Sequence, residues 1–209
     1  MTGLELKILT KVKINLKAYQ KMWYYTELCD DEILGMLEIH REEDALRITD
    51  ILIPEQEVSM GSCDPTVEGL KEVSNAVPEG TLSGWFHTHP WGSGTPSPSG
   101  IDTGTIHDWS SNPLGDVPFL ITLIGNKNRG LKTRLDVFKP IRLRIEDFQL
   151  QIVSDGENDE LKEECQRIID EKVKKKFWQW KLPHWPGKGK KDKGQSPFAN
   201  KGPPHPFGI

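Results

Sequence analysis

Gly84-Trp85-Phe86-His87-Thr88-His89-Pro90, with Ser99-Gly100-Ile101-Asp102 close behind it, is the stretch on which both fold and chemistry turn. Thr81 to His89 reads as a strand ended by Pro90, which lacks the N–H that a strand ladder needs. Trp91 to Pro98 is built mainly from Gly, Ser, Thr and Pro and reads as a loop, and a helix over about Gly100 to Trp109 follows Ser99. Residues two apart on a strand share a side, so His87 and His89 present their imidazoles together while Phe86 and Thr88 face the other way. Asp102 can supply a third ligand from the first helical turn, where unpaired backbone N–H groups favour a carboxylate, with Ser99 as the cap. Two imidazoles, one carboxylate and an open fourth position make a catalytic zinc set. Each half has a plainer meaning by itself: His-x-His is often a hydrogen-bonded pair, and Ser-x-x-Asp is an ordinary capping box. Their order and short separation make the combination specific.

Outward from this stretch the chain alternates strand and helix patterns. Leu4 to Ile14 alternates apolar and polar residues as a half-buried strand does, and Asn15 stands as the N-cap of a helix running to about Cys29. Ile33–Ile39 and Ala45–Ile53 flank the charged turn His40-Arg41-Glu42-Glu43-Asp44 as a hairpin, which Pro54 stops. Asp64-Pro65 opens a second helix to about Ala76, with Val67, Leu70, Val73 and Val77 as its apolar stripe. Val117–Ile124 and Leu131–Val137 form another hairpin, and Ile141 to Val153 adds one or two short strands. The expected class is α/β in the α+β sense, a mixed sheet flanked by helices. Asp159 to Trp180 reads as an amphipathic helix, and from about Lys181 to Ile209 a Pro, Gly and Lys composition holds too little apolar surface to offset ordering, so disorder is expected.

The 209 residues suit one domain with an appendage. There is no apolar run near the roughly 18–20 residues of a membrane span, and Met1 to Lys7 carries charges where a signal peptide needs an apolar stretch, so a cytoplasmic protein is expected. Cys29, Cys63 and Cys165 form no CxxC pair and fit free thiols in a reducing compartment. A net charge of −4 names no partner, and nucleic acid is not expected even though Phe177-Trp178-Gln179-Trp180 and Trp185 lie among lysines. His107 and Asp108 read as exposed helical residues, and His40, His184 and His205 as solvent-facing.

The motif pair resembles the JAMM/MPN+ metalloprotease family, also called JAB1/MPN/Mov34, over about residues 5 to 140. That family's pattern is an upstream Glu, then His-x-His-Pro, a spacer and Ser-x-x-Asp. Glu32-Ile33-Leu34-Gly35-Met36-Leu37 is similar to its Glu-x-x-Gly segment, although Asp30 and Asp31 adjoin Glu32, and Ile51-Leu52-Ile53-Pro54 is similar to the strand before its second helix. The spacer Pro90 to Pro98 is about two residues longer than usual, which a surface loop tolerates at small entropic cost. The resemblance implies an MPN/JAB, cytidine deaminase-like architecture for a catalytic domain over residues 1–155; the helical pattern and the change in composition add a C-terminal helix over 156–180 and a tail over 181–209. It implies Zn2+ on His87, His89 and Asp102, Glu32 as general base and Ser99 as a hydrogen-bond donor to the oxyanion. The implied activity is that of a metallopeptidase or isopeptidase hydrolysing an amide bond of a ubiquitin-like or other protein through a zinc-activated water, of the stand-alone prokaryotic or phage type. The alternative is a non-catalytic MPN-like interaction module that docks through its C-terminal helix and tail. A zinc deaminase would need His-x-Glu and Pro-Cys-x-x-Cys, and neither is present.

Overall fold

The computed structural model describes residues 9–111, 118–139, 141–156 and 159–176. The chain runs β1 (Val12–Asn15), α1 (Leu16–Leu28), β2 (Leu34–Arg41), β3 (Leu46–Leu52), β4 (Gln56–Ser59), β5 (Ser62–Pro65) and α2 (Val67–Ala76). It continues through β6 (Leu82–Thr88), α3 (Gly100–Ser111), β7 (Phe119–Gly125), β8 (Leu131–Val137), β9 (Leu143–Glu146), β10 (Leu150–Val153), α4 (Leu161–Lys172) and β11 (Val173–Lys175). The described residues belong to one compact unit, and the tail expected to be disordered, over 181–209, lies outside them. Among the described residues no helix is long and apolar enough to cross a membrane.

The fold is a mixed α+β arrangement. Its main sheet has the order β10-β1-β3-β2-β6-β7-β8-β9, with β1 parallel to both neighbours, β6 parallel to β7 and the remaining pairs antiparallel. Period-2 alternation sorts the side chains between the two faces. Ile14, Leu37, Ile48, Phe86, Ile121 and Leu123 join the larger core with Ala18, Met22 and Tyr25 of α1 and Cys165 and Ile169 of α4. On the other face Met36, Trp85 and Leu120 meet Val73 of α2 and Ile106 of α3. Gly84 lets the central strands approach closely, because a Cβ there would sit 2.5 Å from the Ile121 carbonyl oxygen.

Several expectations shift. The first strand starts at Val12 rather than Leu4, and residues 1–8 lie outside the described set. Asn15 precedes α1 but makes no side-chain cap; its Oδ1 accepts from Arg47 Nε at 2.8 Å, and the Lys17 N–H donates to Asp155 Oδ1 at 3.1 Å instead. Asp64 and Pro65 belong to β5, because pairing with β4 sets Gln56 opposite Pro65, and Thr66 caps α2 by accepting from the Gly69 N–H at 3.0 Å. Val73 alone of the proposed α2 stripe is buried; Val67 and Leu70 are exposed. The last helix ends at Lys172, where the backbone turns extended to pair β11 with β4, and Phe177–Trp180 fall outside the described residues.

The β4–β5 hairpin, absent from the sequence reading, is joined to the main sheet by Gln56. This wholly buried side chain accepts from the Leu34 N–H at 2.9 Å and donates to the Leu34 carbonyl at 2.8 Å and the Pro54 carbonyl at 3.2 Å. Gln56→Met keeps most of the volume and leaves two backbone groups of Leu34 without partners. Urea unfolding should show a loss of about 2–4 kcal/mol; a loss below about 0.5 kcal/mol, the scale of a surface change, would contradict this role for Gln56.

Candidate metal centre

β6 is paired on both edges, with Leu34 of β2 opposite His87 on one side and Ile124 of β7 beside it on the other. Phe86 enters the core under α1, so Trp85 and His87 face α2 and α3. His89 lies just past the strand, where its N–H donates to the Gly125 carbonyl at 2.9 Å and prolongs the alternation, so the two imidazoles share a side.

His87 Nε2 and His89 Nε2 lie 3.0 Å apart. Asp102 approaches from the first turn of α3, with Oδ1 3.3 Å from His87 Nε2 and Oδ2 3.5 Å from His89 Nε2. Around a tetrahedral ion with bonds of ~2.0–2.1 Å, neighbouring ligand atoms stand about 3.3 Å apart, so the two imidazole nitrogens and the Asp102 carboxylate, which meets one of them through each oxygen, already have about the spacing of a shared ion. The triad could therefore hold a metal. A two-histidine, one-carboxylate set is taken by zinc and by ferrous iron alike.

Asp102 is fixed from behind. The Ser99 N–H donates to its Oδ2 at 2.5 Å, and the Asp102 N–H donates to Ser99 Oγ at 3.2 Å, a reciprocal capping box. Ser99 itself is exposed. Burial pushes the Asp102 carboxyl up, but hydrogen bonds from His87 and His89 outweigh it and hold the group well below the usual carboxylate range. The hydrogen bond to Asp102 raises His89 above the ordinary imidazole value, against burial and with help from Glu32.

Glu32 joins the same group. Glu32 lies two residues before Leu34, which pairs with His87, and is close enough to His89, His87 and Asp102 for their charges to act on it. Its N–H donates to the Ser59 carbonyl at 3.0 Å, and Ile33 is held by Thr88, whose Oγ1 accepts from the Ile33 N–H at 3.1 Å. The adjacent acids have other partners: Asp30 pairs with Lys127, and Asp31 with Lys175 at 3.1 Å. The half-buried Glu32 carboxylate has no hydrogen bond or ion pair among the described residues. Burial raises its pKa, the two histidines lower it and Asp102 raises it again, with a net upward shift.

Two features of the site escaped the sequence reading. Cys63 on β5 lies near enough for Glu32 and Asp102 to act on it, and burial followed by those two charges pushes its thiol up to about 12, so it stays protonated. The long Pro90–Pro98 loop is tied down by the β7–β8 turn: Asn126 Nδ2 donates to the Gly94 carbonyl and Asn128 Nδ2 to the Gly92 carbonyl, both at 2.6 Å. Gly92 and Gly94 have φ of 133° and 86°, values that favour glycine. No sequence pattern points to contacts between turns so far apart in the chain. Of the other histidines, His40 pairs with Glu38 at 2.9 Å rather than facing solvent alone, His107 is exposed, and His184 and His205 lie outside the described residues.

No family model and no curated protein matches the chain. Among solved structures it is similar to the solution structure of protein DSY2949 from Desulfitobacterium hafniense, at 16% identity and a TM-score of 0.43, covering 71% of this chain and 95% of that one. A likeness of this size carries no argument about function.

Proton and metal compete for the same imidazole nitrogens. Because the His89 pKa is raised, affinity for a divalent ion should begin to fall on acidification at a pH above the ordinary histidine range. Titration with zinc as the probe, against a competing chelator, should give one ion per chain, weakened about tenfold or more in His89→Ala and in Asp102→Asn. Equal affinity in wild type and both variants would refute the site.

Proposed function

We propose that the chain is a zinc metallopeptidase of the JAMM/MPN+ type, hydrolysing an amide or isopeptide bond of a ubiquitin-like or other protein. The observation that carries this reading is a half-buried Glu32, without a hydrogen bond or ion pair among the described residues, just before the strand paired with β6 and near enough to the triad for the charges of His89, His87 and Asp102 to act on it; the triad's own nitrogen and oxygen atoms approach one another at 3.0, 3.3 and 3.5 Å. A site for metal storage or structure needs no such base.

His87, His89 and Asp102 would hold the ion. Zinc there supplies Lewis acidity and a water made acidic enough to ionise near neutral pH. Glu32 takes the proton of the attacking water and returns it to the leaving amine, a task suited to a carboxylate whose pKa burial has raised. Ser99 Oγ accepts the Asp102 N–H and keeps its own proton available, so one side chain both caps α3 and donates to the developing oxyanion.

Three free cysteines support a reducing, cytoplasmic setting, and the stand-alone prokaryotic or phage type remains part of the proposal. The interaction-module alternative leaned on the C-terminal helix, whose apolar residues Leu161, Cys165 and Ile169 are buried within the chain's own core. Nothing described favours that alternative over the hydrolase.

Against fluorogenic isopeptide or peptide substrates, Glu32→Gln should bind zinc with near wild-type stoichiometry and lose at least about 10²-fold in kcat. Ser99→Ala should lose about 10²-fold. A Glu32→Gln protein as active as wild type would overturn the assignment.

A further inference from the structure

A cleft of about 320 Å3 opens between α3 and the β8–β9 ribbon, and its wall includes Thr103, the residue after the ligand Asp102. Its charged lining is one-sided, with Arg134, Arg142 and Arg144 set against Asp136, and His107 at the edge beside the exposed Asp108. Arg134 is 4% exposed and donates to Asp136 through Nε at 2.5 Å and Nη2 at 3.0 Å. Asp136 also accepts from Arg144 Nε at 3.0 Å, so one carboxylate serves two guanidiniums. Arg142 brings a third and has no acidic partner among the described residues.

A guanidinium carries five N–H donors, and Asp136 takes two of those on Arg134. Arg134 is held in place by Asp136 and lines the cleft, so its guanidinium is presented there beside those of Arg142 and Arg144. Ile106, Val137 and Leu143 give the cleft apolar sides, which suit the methylenes of an acidic side chain better than a fully hydrated phosphate.

We propose that this cleft binds a carboxylate of a polypeptide, from an acidic side chain or a free C-terminus, next to the metal centre. Anion binding stands on the arginines alone; its use as a specificity subsite rests on the hydrolase reading above. Planar guanidiniums match a carboxylate two donors at a time, so the cleft favours substrates with an acid near the scissile bond.

The test is titration of the full chain, followed by NMR of the arginine Nε–H resonances, with three peptides. One is blocked at both ends and carries a single Glu, the second has Gln in its place, and the third is neutral with a free C-terminal carboxylate. At least one carboxylate peptide should bind about tenfold tighter than the Gln peptide, and which of the two does so names the source. Arg142→Gln/Arg144→Gln, both at exposed positions, should lose about tenfold in that affinity while holding zinc as wild type does. Equal binding of all three peptides, undiminished binding by the double variant, or tighter binding of inorganic phosphate would overturn the proposal. Zinc affinity, measured in the same samples, reports on the hydrolase reading separately.

Discussion

β6 is gripped on both edges, by β2 and by β7, and this double pairing decides which side of the sheet His87 occupies. A slip of one residue would carry the imidazoles to the α1 side and expel Phe86, which is wholly buried, at a cost of roughly 1.5–3 kcal/mol for that side chain alone. The neighbours of Phe86 would be displaced with it. Core packing on one face thus holds polar ligands in place on the other, and the site borrows its rigidity from the hydrophobic core.

The same pairing reaches Glu32 through the backbone. Thr88, between the two histidines, turns away from them and bonds Ile33, while Ser59 of β4 takes the Glu32 N–H. β11 then closes the far edge of β4, with Lys174 paired to Glu55, Lys175 to Asp31 and Lys176 to Asp64. The Lys174–Glu55 pair lies at the surface and contributes little energy, while Lys175 gives the buried Asp31, next to Glu32, a cationic partner. Glu32 keeps its carboxylate unengaged among three acids in a row.

What could be read from the sequence follows from the range of the interactions involved. The His-x-His alternation, the Ser99 cap and the turn of helix bearing Asp102 are local, and the structure places those residues as the pattern predicts. The β2–β3 and β7–β8 hairpins are likewise short-range. Gln56 is different, because a polar residue wholly buried by bonds to a backbone 22 positions away has no periodic signature. Asp64-Pro65 mimicked a helix start until pairing with β4 claimed it, and the C-terminal helix pattern ran through Val173–Lys175 because β-branched and lysine-rich sequence does not itself show where a strand partner waits. Asn15 lost its capping duty to Asp155, a residue 138 positions from the Lys17 amide it holds.

The triad and the base are separable in chemistry but share one scaffold, so the central claim is that the ion sits on two imidazoles and a carboxylate. X-ray absorption on the zinc-loaded full chain tests this directly. The account predicts a shell of nitrogen and oxygen at about 2.0–2.1 Å with the outer-shell scattering of two imidazoles, and no sulfur. A sulfur at about 2.3 Å, which would bring in Cys63, or a shell without imidazole scattering would contradict it.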